Sequence, residues 1–206
     1  MHQFNGGQPL GKIELLLRSC LKQPIATRQV SIVFENRQLR IEDNQVCNAS
    51  GGNDQNRLRV ALGTQRSCGA VVIPRLADGR IVLVARYRYA AGKWSVELPR
   101  GLSQAKDEGW KQAAMRCLLD DVGLVALRMR LLGSFQIEPG LISSETVAVL
   151  ADGCAQAEAP SGSRQLIAGS TAVNDHELEQ LVRAGTIDCG LTLAALSLYR
   201  VRAVAR

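Results

Sequence analysis

Asp120 and Asp121 are adjacent carboxylates, and carboxylate oxygens are the hard donors a divalent cation accepts. They lie in Gly101–Leu124, GLSQAKDEGWKQAAMRCLLDDVGL, behind a glycine loop. Arg116 precedes Asp120 by four residues, within reach on one helix face. A loop followed by a helix that ends in two carboxylates could hold a divalent cation and a phosphate. The same stretch also reads as an ordinary amphipathic helix. Trp110, Ala113, Ala114, Cys117 and Leu118 recur at i, i+3, i+4, i+7 and i+8. Gly123 is placed to stop the helix as a left-handed residue. These residues alone leave both readings open.

The elements around the stretch must position it. The chain has 206 residues, 46% of them hydrophobic but only 4% aromatic, so a full core is expected and it must be aliphatic. No run approaches the ~20 apolar residues of a membrane span. The beginning, MHQFNGGQPLGK, lacks the basic and apolar regions of a signal peptide, and a cytoplasmic location is expected. The six cysteines have no C-x-x-C spacing and there are only two histidines, His2 and His176, which argues against zinc and for free thiols. The net charge of +6 favours anionic partners such as nucleotides, other phosphates or nucleic acid. Its arginines are spread along the chain rather than massed, which weighs against a nucleic-acid face.

In chain order, 12–21 reads as a short helix with Ile13, Leu16, Leu17 and Cys20 inward, closed by Pro24. Gln29–Glu35, Gln38–Glu42 and Arg57–Leu62 read as strands, with Asn44–Asn56 as an exposed loop. A boundary near Thr64–Arg66 divides a β-rich N-terminal lobe, 1–65, from a main domain, 66–206. Within the latter, Cys68–Pro74 and Arg80–Tyr87 form a hairpin, and Trp94–Leu98 is a strand that Pro99 closes. After the helix come strands at Ala126–Gln136 and Thr146–Ala151, a mobile stretch at 152–165, and an extended segment at Leu166–Val173. Asn174 and Glu177 have the spacing of a capping box for a helix over 174–182. A final helix covers 191–204. A mixed sheet with helices on both faces fits this order.

The run Gly69–Leu150 resembles the Nudix hydrolase family, and within it the ADP-ribose pyrophosphatase branch. The resemblance is carried by GAVVIP at 69–74, ARYRY at 85–89, WSVELPRG at 94–101 and SFQIEPGLISSE at 134–145. TIDCGLTLAALSL at 186–198 is similar to the branch's C-terminal helix. The family's box, G-x5-E-x7-R-E-U-x-E-E-x-G-U, is matched by Gly101, Arg116, Leu118, Gly123 and Leu124. Glu108 keeps the spacing to Arg116 but falls one residue late from Gly101. Cys117, Asp120 and Asp121 stand where the box has glutamates, and Arg100 replaces the alanine of an ELPAG run.

The resemblance implies an α+β Nudix fold, an α/β/α sandwich with a mixed sheet, and an N-terminal lobe that pairs two copies into a homodimer. It implies a pyrophosphohydrolase of ADP-ribose or a related nucleoside diphosphate sugar, weakened by the degenerate box; the alternative is a Nudix-fold module that binds a nucleotide or protein without hydrolysis. The cofactor implied is Mg²⁺ or Mn²⁺ held by Asp120, Asp121, Glu108 and the Arg100 carbonyl. Thiolate is a poor magnesium ligand, and aspartate is about 1.5 Å shorter in reach than glutamate. Glu145, then Glu138, is the implied general base, or else a solvated loop glutamate. Arg116 implies a buttress for the carboxylates. Arg86, Arg88 and Arg100 are candidates for substrate phosphates, and Trp94 for stacking on a base or for packing.

Overall fold

The computed structural model describes residues 13, 17, 25–48, 52, 54–62, 69–104, 109–157 and 166–203. Two compact units result, Met1–Val33 with Ile41–Arg59, and Phe34–Arg40 with Val60–Arg206.

Strands β1 (Ile25–Glu35), β2 (Leu39–Asn48) and β3 (Gln55–Leu62) form a three-stranded sheet in that order. The second strand runs six residues beyond the expected Gln38–Glu42. Asn44 there is buried and donates to buried Glu42 at 3.2 Å, while Val46 and Cys47 are buried beside them. Polar residues that satisfy each other inside a strand read as a loop from composition. Of the expected first helix, Ile13 and Leu17 are helical but exposed, not inward; the rest lies outside the described residues.

The larger sheet contains β4 (Gly69–Leu76), β5 (Ile81–Arg88), β6 (Lys93–Glu97), β7 (Arg100–Gly101), β8 (Leu124–Val125), β9 (Arg128–Gln136), β10 (Glu145–Gln156) and β11 (Ile167–Val173). Its main path runs β11-β5-β4-β10-β8, with β6 on β5, β7 on β4 and β9 on β10. β4 and β10 are parallel and the other pairs antiparallel, so the sheet is mixed. The strand expected at Ala126–Gln136 is formed as β9 from Arg128, and a separate short strand, β8, precedes it; β8 pairs with the far end of β10 and β9 with the rest. β10 continues to Gln156, into the stretch 152–165 expected to be mobile, of which 158–165 lie outside the described residues. There Asp152 sits opposite Arg75 and accepts from both its Nε and Nη2 at 2.8 Å. Arg75 holds the Asp152 carboxyl below the ordinary range.

Strand alternation divides the core into two layers. Ala70, Val72, Val82 and Val84 face helix α1 (Trp110–Val122) through Ala113, Ala114, Cys117 and Leu118. Val71, Ile73, Ile81 and Leu83 face helices α2 (Asp175–Arg183) and α3 (Gly190–Ala203) through Leu178, Ala195 and Leu196. The result is an α/β/α sandwich whose largest buried side chains are aliphatic, apart from Glu97. Each buried Val, Leu or Ile contributes roughly 1.5–3 kcal/mol, which suffices without aromatic bulk. The expected capping box at Asn174 and Glu177 is formed in both directions, at 2.9 and 2.8 Å.

Candidate active site

The loop Arg100–Gln104 enters at the edge of β4 and leads towards α1. Its approach is fixed from two sides. Leu98 N–H donates to the buried Thr192 hydroxyl of α3 at 3.1 Å, and the Pro99 carbonyl accepts from Val72 N–H at 2.9 Å. Arg100 and Gly101 then pair with Val71 and Ala70. Glycine is required at 101 for space: a Cβ there would meet the Cys117 sulfur at 2.9 Å. Gly101→Ala is expected to cost about 1–3 kcal/mol through overpacking. Most of that loss is expected to vanish in a Cys117→Ala background, a coupling that urea unfolding of the two single variants and the double variant measures. At the other end Gly123 adopts φ 67° and its N–H reaches the Leu118 and Leu119 carbonyls, so it stops α1 in the left-handed conformation expected of it.

Five charged side chains converge beside this loop. Glu97, at the end of β6, is 1% exposed. Arg88 donates to both its oxygens, through Nε at 3.2 Å and through Nη2. Arg100 Nε donates to it at 3.3 Å, and Arg86 Nε lies 3.8 Å from it. Arg86 Nη2 pairs with Asp121 of α1, and the Arg100 backbone N–H donates to Asp121 Oδ2 at 3.1 Å. Arg86 and Arg88 are two apart on β5 and so share a face. Glu97 is opposite Val84, which brings it within diagonal reach of Arg86. Burial pushes the Asp121 carboxyl above the ordinary range, opposed by Arg86 and the Arg100 N–H. Burial also lowers Arg88, with Glu97 opposing and Arg100 and Arg86 adding to the fall.

The expected site residues are not all brought together. Asp121 is in the arginine cluster. Asp120, 100° round the helix, instead lines a groove of about 780 Å³ with Lys111, Met115 and Arg116. Arg116 Nη2 donates to the Leu102 carbonyl at 2.9 Å, which ties the helix to the loop. Glu108 lies outside the described residues. Glu138 accepts from Gly140 N–H in its own turn at 3.2 Å. That turn is held by Val60, whose N–H donates to Leu141 O and whose carbonyl accepts from Ser143 N–H, both at 2.9 Å. Glu145 is exposed at the start of β10. Its neighbour Thr146 pairs with Gly69, and a Cβ on Gly69 would lie 3.4 Å from Thr146 Oγ1 and 3.5 Å from the Gly101 carbonyl, so Glu145 stands at the sheet end that carries the glycine loop. Trp94 is more than half exposed, with its ring edge-on to Tyr87 at 5.6 Å.

The described residues do not fit a magnesium ion. Magnesium takes near-octahedral oxygen donors. Here Cys117 offers sulfur, Asp120 faces elsewhere, and Asp121 is already answered by a guanidinium and an N–H. No three His, Cys, Asp or Glu side chains gather for a metal among the described residues. The central residue that sequence reasoning passed over is Glu97. Its signal was present: one carboxylate inside the apolar run Val96–Leu98 has to be buried and therefore paired.

A mixed sheet between helices, with a glycine loop locked against one of them, makes an α/β/α sandwich scaffold. Residues 65–181 match the model of the NUDIX domain family, and the chain belongs to that family. Its fold is similar to the crystal structure of an ADP compounds hydrolase, with a TM-score of 0.72 over 86% of this chain and 93% of that one, at 18% identity. No curated protein matches the sequence. Membership of the family supports a pyrophosphohydrolase. No helix among the described residues is long and apolar enough to cross a membrane.

Proposed function

We propose that this chain binds a nucleoside diphosphate derivative, ADP-ribose or a related nucleotide sugar, and hydrolyses it slowly. The observation that carries this reading is the convergence of Arg86, Arg88 and Arg100 beside the glycine loop, each with 16–27% of its side chain exposed. Guanidiniums present forked donors that match phosphate oxygens. Trp94 offers an exposed ring for the base on the same hairpin. In the reaction a water oxygen bonds to phosphorus, the bridging P–O bond breaks, and the phosphate on the far side leaves. The water's proton passes to Glu145, since Glu138 is engaged by its own turn. The chemistry runs on fixed guanidinium charge and one exposed carboxylate at the start of β10, and turnover is expected well below the ~10 s⁻¹ median of enzymes.

Release of AMP and a sugar phosphate from ADP-ribose tests this. Slow release is expected in the native protein, with a fall of about 10²-fold or more in Glu145→Gln and unchanged substrate affinity. The Arg86–Asp121 pair favours a second reading, a module that binds the nucleotide without cleaving it. Binding with no release above the uncatalysed rate would establish that one. Both readings place the protein in the cytoplasm as a homodimer. Support for the dimer comes from β1, where Val30, Ile32 and Phe34 leave about half of their surface on one face exposed. Sedimentation velocity at micromolar concentration decides between dimer and monomer.

A further inference from the structure

The family pattern that this chain resembles places a divalent cation between the glycine loop and the face of the helix. Here that helix face carries Cys117 and Asp121, one turn apart, and Asp121 is met by Arg86 and by the backbone of Arg100. One guanidinium and one backbone N–H thus stand against the carboxylate that a metal would need, and the Arg100 guanidinium lies beside them on Glu97. We infer that Arg86 and Arg100 do the work of the divalent cation, so that the site holds the diphosphate of a nucleotide on fixed protein charge, without added metal. This rests on the reading of the arginine cluster as the nucleotide site.

Three independent features of the cluster point to an absent anion. Its described members comprise three guanidiniums against two carboxylates, Glu97 and Asp121, which leaves a surplus of one positive charge. The Nε of Arg86 is buried and has no hydrogen-bond partner among the described residues, although Arg86 is otherwise fixed by Asp121 and Glu97. Its nearest acceptor is Glu97, 3.8 Å away and beyond hydrogen-bond distance, so the donor is unsatisfied in the absence of an anion. The cluster is also open: Arg88 and Arg100 each keep about a quarter of their side chain exposed, while Glu97 beneath them is sealed. The carboxylates therefore act as a floor that fixes the guanidiniums, while Arg88 and Arg100 keep part of their side chains open to solvent. Burial lowers Arg88 first, against the pull of Glu97, and the neighbouring Arg100 and Arg86 charges add to the fall, a like-charge crowding that an anion would relieve. Magnesium would have to displace Arg86 from Asp121 before it could bind.

Calorimetric titration of the full chain with ADP, once in EDTA and once in magnesium, tests the inference. The dissociation constant is expected to be nearly the same in both buffers, a coupling factor close to one. Arg100→Ala is expected to weaken ADP binding in EDTA by about tenfold or more through loss of a charge-assisted fork. If that variant does not fold by circular dichroism, Arg100→Lys keeps the charge, removes the fork, and is expected to lose affinity by a smaller factor. ADP binding only in magnesium would overturn the inference and leave the nucleotide site standing. Binding in EDTA that neither Arg100 variant weakens would also overturn it, since the anion would then sit elsewhere. No binding in either buffer would remove the nucleotide reading itself.

Discussion

Glu97→Gln is expected to destabilise the protein by about 3–5 kcal/mol, more than any single substitution among its arginine partners. Glu97 is the one ionisable side chain among the largest fully buried residues, at 1% exposure. It holds Arg88 through two hydrogen bonds, Arg100 through one, and faces Arg86. Breaking a buried pair from one side leaves the other charge desolvated and unanswered, and here three guanidiniums would depend on Asp121 alone. The amide of glutamine keeps the volume and one acceptor, so the loss reports charge and not a cavity. Arg100→Ala should cost far less, because Arg88 still covers both Glu97 oxygens and the Arg100 backbone N–H to Asp121 is retained. Urea unfolding with matched m-values measures both. Equal losses for the two variants would show that Glu97 is not the keystone of the cluster.

The contrast explains what could be read in the chain beforehand. The α/β/α sandwich was legible because its signals are local and repeated. β4 and β5 are nearly continuous apolar runs, as strands buried on both faces must be, and α1 and α2 carry their own stop and cap. The residues of the cluster were legible one at a time. Arg86, Arg88, Arg100 and Asp121 could each be named as candidates. Their pairing could not be read, because Arg86 meets Asp121 across 35 positions of sequence, from a strand on one side of the glycine loop to a helix on the other. The motif also assigns Asp120 and Asp121 to one site by adjacency. A 100° step per residue sends them to different faces, and only Asp121 reaches the loop. Spacing along a motif thus places side chains on a helix, but the neighbouring strand decides which charge each one meets.

The same geometry says how a cation site could be recovered. Combining Arg86→Gln with Cys117→Glu is expected to make the protein bind Mn²⁺, which the native chain is expected not to do. The first change releases Asp121 from its guanidinium partner. The second puts a carboxylate at i relative to Asp121 at i+4, so two oxygen donors share one helix face next to the Arg100–Gly101 backbone. Cys117 is 3% exposed and its sulfur fills the space above Gly101, so the longer side chain must extend along the loop towards the opening. Without metal the double variant is expected to be several kcal/mol less stable than the native protein, because two carboxylates are then partly buried with little compensation. With Mn²⁺ at about a hundred times its dissociation constant, linkage returns ~2.7 kcal/mol, and the melting temperature should rise by roughly 5–10 °C for a chain of this size. The native protein, scanned with and without Mn²⁺, should not shift. An equal rise in the native protein would mean that a cation already outcompetes Arg86 for Asp121. Absence of a rise in a folded double variant would mean that the two donors do not converge.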